Sequence, residues 1–582
     1  MSNCQRTHSN LEPMSLRVII FATLAFVAIQ IIRLVHQLFI KPRLSNLRAL
    51  PGPKSKSLLY GNFKEVKHSK PGELHAKWIE EYGPTMSYTG VFNSGRLYTH
   101  DTRALSFVLS HPDIFRKPDQ FQFVLARVLG KGLIFADGDP HRQQRRLLNP
   151  AFSNLHIRQM TPTFFSKAFE LRDSWSSLAS EKESAVDATV CEIDAMSWLS
   201  RVTLDIIGLA GFDYAFNATN PRGGADDFQK AFETAFNGAM NFSVMSLLTA
   251  RFSILRKLVS HVISSAYSST VMLTFGVGKP SKRERDIQEA QTSMRRLGTK
   301  LLADKKETIL ESLSDKDEKI TKTTVERKDI LSLLIRANMS SEVPESARLS
   351  DEDILAQIPT FILAGHETTA AALAWCLYAM TRHPDIQCKL RDEVGTVDTD
   401  GPTMDFLNSL PYLDAVVRET LRFFPIVPMV MRIATEDVNL PLKTPVTDNR
   451  GRPLSEIRVR KGEGIDIPII ALNRSKDIWG DDADQYRPER WENVPEMAHE
   501  VPGVWSDLMT FIGGPRSCIG YKFSIIEMKV LIFTLIRAFS FEPSESDVEI
   551  LQKTTFITKP VVAGEEEKGS QLPLKIRLLP TA

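Results

Sequence analysis

The sequence of 582 residues has few cysteines and no C-x-x-C pair. Its five cysteines are scattered along the chain, as Cys4, Cys191, Cys376, Cys388 and Cys518. An odd and dispersed set argues against a disulfide framework and against a structural zinc site. The same pattern fits a reducing compartment.

An excess of charge of one sign is also lacking. Lys and Arg together number 72 and Asp and Glu 70, which gives a formal net charge of +2. This balance excludes the general basic excess of a nucleic-acid-binding protein, so we expect no nucleic-acid partner. Internal repeats are absent, and so is any flavin or dinucleotide-binding fingerprint. A redox function would therefore take its electrons from a separate protein.

One long apolar stretch lies near the N-terminus. Val18 to Ile32 carries no charge, and the apolar character continues to Ile40. With its flanks this stretch approaches the roughly 20 residues of a bilayer-spanning helix. A cleavable signal peptide is the rival interpretation, but basic residues come after the stretch instead of a small-residue cleavage site. We predict an N-terminal transmembrane helix within a membrane anchor of residues 1–45, with the rest of the chain in the cytosol.

The rest of the chain, residues 46–582, is predicted to form one domain that is mainly α with small β-sheets. Residues 46–57 are rich in proline and glycine and are typical of a stiff hinge. Apolar residues then recur at helical spacing over 156–179, 227–242 and 283–313. Strand-like stretches lie at 85–101, 457–472, 554–562 and 573–579.

The stretch "FIGGPRSCIG", Phe511 to Gly520, places a cysteine beside glycines and an arginine. The segment after Cys518 has helical spacing, so this cysteine stands near a helix N-terminus, which favours a thiolate. The glycines permit tight turning and close approach to a flat group, and Arg516 can reach an anion. Four interpretations remain open from these residues alone: a catalytic thiol, a redox cysteine, a thiolate ligand of haem iron and a buried structural cysteine.

A second unusual stretch is "AGHETT", Ala364 to Thr369, inside a long apolar helix. An acid and two hydroxyls in the middle of a buried helix are costly unless they serve a function. Heterolytic cleavage of an O–O bond needs protons brought to a dry site, and an acid next to an alcohol suits that task.

The cysteine loop resembles the haem-binding signature of the cytochrome P450 superfamily, F-x-x-G-x-R-x-C-x-G, at all five specified positions. These are Phe511, Gly514, Arg516, Cys518 and Gly520. The resemblance implies the cytochrome P450 fold, an α-helical globule around a buried haem b whose iron has Cys518 as its thiolate axial ligand. It also implies that Glu367 and Thr368 are the catalytic acid–alcohol pair.

Three further groups of residues match the same superfamily. Glu419 and Arg422 form an E-x-x-R pair, and Arg490 matches the third member of a structural Glu–Arg–Arg cluster. The sequence departs from the common W-x-x-x-R pattern, because His141 stands in the tryptophan position before Arg145. By resemblance, His141, Arg145, Arg432 and Arg516 bind the haem propionates.

The resemblance to microsomal members, many of them fungal, implies a monooxygenase of the endoplasmic reticulum membrane that inserts one atom of O2 into a small hydrophobic substrate. Its electrons would come from NADPH through NADPH–cytochrome P450 reductase, which would dock on the basic residues Arg142, Arg145, Arg146 and Lys522. A terpenoid or another secondary-metabolite skeleton is the expected substrate. The family positions that would line its pocket are Phe121, Phe123, Phe361, Ala364, Val427, Val430 and Phe556. Haem-thiolate isomerase or dehydratase chemistry and a non-catalytic haem-binding sensor are the alternatives.

Overall fold

Helices make up most of the regular structure in the computed structural model. The structure describes residues 16–36, 40, 42–57, 59–180, 190–220, 282–314, 329–341, 343–544 and 548–580. The helix predicted over 227–242 lies outside these residues. The described helices are, in chain order, α1 (Leu16–Val35), α2 (Phe63–His68), α3 (Glu73–Tyr82), α4 (Thr102–Ser110), α5 (Asp119–Leu129), α6 (Gly138–Leu148), α7 (Asn154–Ser180), α8 (Ala195–Phe212), α9 (Lys282–Ser314), α10 (Ile330–Met339), α11 (Asp351–Leu355), α12 (Gln357–Arg382), α13 (Pro384–Gly395), α14 (Met404–Ser409), α15 (Pro411–Phe423), α16 (Ile469–Asn473), α17 (Lys476–Trp479) and α18 (Tyr521–Ala538).

The strands of the described residues form four small sheets. Their bounds are β1 (Thr85–Thr89), β2 (Gly95–Thr99), β3 (Phe115–Arg116), β4 (Val190–Asp194), β5 (Val430–Ala434), β6 (Val438–Thr447), β7 (Pro453–Val459), β8 (Gly464–Ile467), β9 (Phe539–Pro543), β10 (Ile550–Thr554), β11 (Thr558–Val562) and β12 (Pro573–Leu578). One sheet has the order β1-β2-β8-β5-β3, with β2 and β8 parallel; the others are β4-β12-β9, β10-β11 and β6-β7. The predicted class, mainly α with small sheets, describes this part of the chain.

The strand prediction over 457–472 is wrong at its C-terminal end. Residues 469–473 form the short helix α16 after Pro468. Ile469 and Leu472 are fully buried there. A segment that is apolar and buried on every side shows neither the periodicity of a strand nor that of a helix. Its sequence therefore does not distinguish the two.

The helix α12 lies at the centre of the molecule, packed against α8, α15 and α18. Gly365 allows the contact with α8, because a Cβ at this position would lie 2.7 Å from Cγ1 of Ile207. On another side, Thr369 Oγ1 lies 3.1 Å from Ser524 Oγ of α18. These contacts bring Ala364–Thr369 of α12, here called the polar step, next to the start of α18. The helix α18 comes directly after the cysteine loop.

The N-terminal helix α1 exposes large apolar side chains, among them Phe21, Leu24 and Ile32. No helix in the described part of the chain is both long and apolar enough to cross a membrane. The anchor over residues 1–45 stays a prediction. The stretch predicted as a hinge is attached to the globule: Leu47 and Leu50 are buried, and Ser87 N of β1 donates to Pro51 O at 2.9 Å.

Candidate functional site

The loop before α18 is held in shape by its own backbone and by the protein around it. Cys518 N donates to Phe511 O at 2.9 Å, which closes the loop between a 3-10 turn and the helix start. Gly514 has a φ of +68°, and a Cβ there would lie 2.5 Å from Leu109 O. At Gly513 a Cβ would lie 1.7 Å from Pro502 O. The glycines at 513 and 514 are thus required by close approach of protein backbone, not only by a flat ligand.

Cys518 is exposed, although protein atoms surround it closely. It lies two residues before Gly520, the N-cap of α18. Burial raises the pKa of its thiol, while the backbone N–H of Gly520 and the Arg145 guanidinium lower it. Burial therefore opposes the ionised form that the helix start favours. A metal cation on the sulfur would favour the thiolate, because coordination deprotonates a thiol.

Three cations that are buried or partly buried lie around Asp137 near this loop. Arg516 forms an ion pair with Asp137 and donates from Nη1 to Ala136 O at 2.6 Å. Burial and Arg516 lower the pKa of Arg432 to about 10. Burial together with Arg516 and Arg432 lowers the pKa of Lys117 to about 7, although Asp137 opposes this. Uncompensated buried cations are costly, so the cluster fits an anionic group with two carboxylates.

The two residues of the H-x-x-x-R variant are placed differently from each other. His141 is buried in α6, and burial and then Arg516 lower its pKa to about 3, so the imidazole is neutral. Arg145 donates from Nη1 to Ser517 O at 2.5 Å, directly before the cysteine. Arg142 is exposed and paired with Asp113 and Asp139. Only Arg145 of this pair is tied to the cysteine loop by a hydrogen bond in the described part of the chain.

Glu367 and Thr368, the acid and the alcohol of the polar step of α12, have different partners. Thr368 Oγ1 donates to Ala364 O at 2.7 Å, and Ala364 is exposed whereas Leu363 and His366 are buried. This face of α12 is therefore accessible. Glu367 is buried and forms an ion pair with Lys559 of β11, while His366 Nε2 lies 3.2 Å from its Oε1. Burial would raise the pKa of Glu367, but Lys559 and His366 bring it down to about 2.

The structure brings Glu419, Arg422 and Arg490 together in the interior. Arg422 donates from Nε and Nη2 to the two oxygens of Glu419 at 2.9 and 2.7 Å, and both side chains are fully buried. Arg490 Nε lies 3.7 Å from Glu419 Oε1. The remaining donors of Arg422 reach backbone carbonyls of Asn473, Ala483 and Gln485. The cluster ties α15 to the segment that precedes the cysteine loop.

Two of the residues predicted to line the pocket contact each other. Phe121 of α5 stacks on Phe556 with ring centroids 5.5 Å apart. Phe361 is buried and packs against Phe152 at 5.7 Å, so it belongs to the core as much as to any pocket. The other predicted pocket residues are partly buried, apart from the exposed Ala364: Phe123, Val427 and Val430.

Sequence reasoning missed two lysines, Lys117 and Lys559. Lys117 donates to Ile134 O at 2.5 Å inside the cation cluster, and Lys559 pairs with the acid of α12. Neither belongs to a recognisable motif, and each meets partners that are distant in sequence. Only the tertiary fold identifies them.

Comparison with known proteins identifies the same family as the cysteine loop. The family model described as Cytochrome P450 matches residues 51–563. The chain is 44% identical to cytochrome P450 monooxygenase 128 of Postia placenta over 545 residues, which cover 93% of this chain and 95% of that protein. It is 44% identical to cytochrome P450 monooxygenase 205 of the same fungus, over 92% of this chain and 93% of that one. Cytochrome P450 monooxygenase claO of Ampulloclitocybe clavipes is 33% identical, with 94% and 95% covered.

Proposed function

The chain belongs to the cytochrome P450 family, and from that premise we propose that this haem-dependent monooxygenase oxidises a small hydrophobic substrate of fungal secondary metabolism, such as a terpenoid. The observation that carries the choice of substrate is the stacked pair Phe121 and Phe556, both at predicted pocket positions. Apolar and aromatic walls favour an apolar ligand. One atom of O2 enters the substrate and the other leaves as water, with two electrons and two protons consumed.

The residues around the cysteine loop fit haem. Cys518 would hold the iron, and Lys117, Arg145, Arg432 and Arg516 would hold the two propionates. When bound, the haem supplies the activation of O2. The chain's own contribution is a buried set of cations that the propionates neutralise, and an accessible sulfur whose ionisation a metal cation favours.

Glu367 and Thr368 divide the handling of protons between them. Glu367 is ionised, so its carboxylate can accept a proton but has none to donate. Thr368 donates its hydroxyl proton to Ala364 O, and its oxygen can still accept a hydrogen bond. The hydroxyl therefore donates elsewhere only after it rotates away from that carbonyl. Together they can move protons into a site from which bulk water is excluded.

We expect the purified protein, supplied with NADPH, NADPH–cytochrome P450 reductase and a lipophilic substrate, to release a product that carries one oxygen atom from isotopically labelled O2. The Thr368→Ala variant should keep consuming NADPH while product per NADPH falls at least about tenfold, since general acid–base groups contribute about 10²–10⁴-fold. Thr360→Ala is the matched control, because Thr360 also donates to a carbonyl of the helix, Ala356 O at 2.9 Å. An isomerase would leave the label out of the product, and a sensor would form no product.

The reductase is proposed to dock near the cysteine loop. Arg146 is exposed and Lys522 is partly exposed, whereas the exposed Arg142 is paired with two aspartates. A basic surface here would attract an acidic partner and raise its association rate. Arg145 does not belong to that surface, because it turns inward to Ser517 O.

We propose that α1 attaches the protein to the endoplasmic reticulum membrane with the catalytic domain in the cytosol. The exposed side chains Phe21, Leu24 and Ile32 support this, since an exposed apolar surface of this kind marks a membrane or protein contact. Basic residues after the helix favour a cytosolic location for the catalytic domain.

The full-length protein is expected to sediment with membranes after a high-salt wash, and a variant with Phe21, Leu24 and Ile32 all changed to Ser is expected to be released. The matched control changes Leu155, Leu310 and Phe406 to Ser, which are exposed apolar residues elsewhere. Topology is read from glycosylation at Asn217, an exposed N-x-T site in the described part of the chain. A sugar at Asn217 would contradict a cytosolic domain; the N-x-S site at Asn241 lies outside the described residues.

A further inference from the structure

The acid of α12 is held by a residue from a distant part of the chain. Lys559 Nζ contacts Glu367 Oε2, and the lysine side chain is 16% exposed while the glutamate is buried. His366 Nε2, on the same helix, lies 3.2 Å from the other carboxylate oxygen, Oε1. Lys559 is the ionic partner that reaches Glu367 from outside α12.

The backbone around Lys559 is fixed on two sides. Thr558 N donates to Ile426 O at 2.8 Å, and Thr558 O accepts from Trp375 Nε1 of α12 at 3.0 Å. The ammonium of Lys559 is therefore presented to Glu367 from a strand that is itself bonded to the same helix. Three residues earlier, Phe556 stacks on Phe121 in the turn between β10 and β11.

We propose that Lys559 is a positioning residue that holds the carboxylate of Glu367 in place and connects it to the turn that carries Phe556. The proposal rests on the proposed function, since it assigns this ion pair to the proton supply of the monooxygenase. The turn that carries Phe556 leads directly into the strand of Lys559, so this lysine joins Glu367 to the β10–β11 hairpin.

Other charged groups on the elements packed against α12 do not replace Lys559. His366 Nε2 lies 3.2 Å from the carboxylate, on the same helix. Lys553 of β10 faces Lys559 across the hairpin, but its ammonium donates to Glu566 O at 3.2 Å. Glu527 of α18 is fully buried, and burial raises its pKa well above the ordinary value, so it is uncharged. Asp205 of α8 accepts from the backbone of Ala218 and Thr219.

The first test is stability against pH, which does not depend on turnover. In the native protein the pKa of Glu367 is about 2, below its ordinary 4.5, so its stabilising contribution is present above pH 4.5 and is lost only as the pH falls toward 2. In Lys559→Met the carboxylate stays buried without the ammonium, and we expect burial to raise its pKa above the ordinary value. The melting temperature of this variant should then fall as the pH rises from about 5 to 8, relative to the native protein.

Three further variants serve as controls for the pH profile of Lys559→Met. Lys559→Arg should restore the native pH profile, and Lys553→Gln, the neighbouring charge removal, should leave it unchanged. The double variant Glu367→Gln/Lys559→Met has no carboxylate to titrate and should lose the slope of the single variant. A Lys559→Met profile parallel to the native one would overturn the proposal, and so would a double variant that keeps the slope.

The second test uses the reconstituted enzyme. Lys559→Met should lower product per NADPH at least about fivefold at neutral pH while the substrate-induced spectral shift persists, whereas Lys559→Arg retains most of the coupling. Native coupling in Lys559→Met would overturn the role in proton supply. If the native protein itself forms no oxygenated product, the proposed function fails, while the pH profiles still decide whether Lys559 positions Glu367.

Discussion

Cys518→Ser is expected to abolish both turnover and the thiolate-type Soret shift of the reduced carbon monoxide complex. Serine keeps the size of the side chain, so the loop between Phe511 and α18 should stay closed by its backbone bond. A hydroxyl does not give the iron the electron density that a thiolate gives. The expected loss is complete, because no second thiol in the described residues stands beside this cation cluster.

Cys388→Ser is the matched control for this prediction. Cys388 is also an exposed, free cysteine, but it lies on α13, away from the cysteine loop. The other described thiols are buried, and burial raises the pKa of Cys376 to about 12. Absorbance spectra of the reduced proteins under carbon monoxide distinguish the outcomes. A thiolate-type band that persists in Cys518→Ser would place the ligand elsewhere.

The parts of the site that could be predicted from sequence are those whose functional groups lie close together along the chain. The loop from Phe511 to Gly520 and the step from Ala364 to Thr369 each combine a reactive group with the local backbone that it needs. The helices around them, α12 and α18, are long enough for their apolar content to be unambiguous. Short-range patterns of this kind can be recognised without knowledge of the fold.

The parts that could not be predicted depend on long-range packing. Lys117 and Lys559 acquire their roles only because segments far along the chain bring Arg516 and Glu367 to them. The shift of the Cys518 pKa is set by how deeply the fold buries the sulfur, which a helix-dipole argument leaves out. Sequence indicates which groups are present, and burial decides which of their protonation states is stable.

Glu419→Ala is expected to cause the largest loss of stability of any single change outside the cysteine loop. Removing this carboxylate leaves four donors without their acceptor: two of Arg422, the backbone N–H of Arg487 at 2.8 Å and Trp491 Nε1 at 3.1 Å. Loss of one partner from a buried pair costs about 3–5 kcal/mol. Against a total stability of about 5–15 kcal/mol, much of the protein would unfold at modest denaturant concentrations.

Two further variants show whether the cost comes from the buried charge. Asp405→Ala removes an exposed partner of Arg158, 2.8 Å away, and should cost no more than about 1 kcal/mol. Glu419→Ala/Arg422→Met removes the stranded guanidinium as well, so it should recover part of the loss, as a double-mutant cycle in denaturant unfolding would show. A double variant less stable than Glu419→Ala would mean that Arg422 acts mainly through the carbonyls of Asn473, Ala483 and Gln485, which it joins to α15.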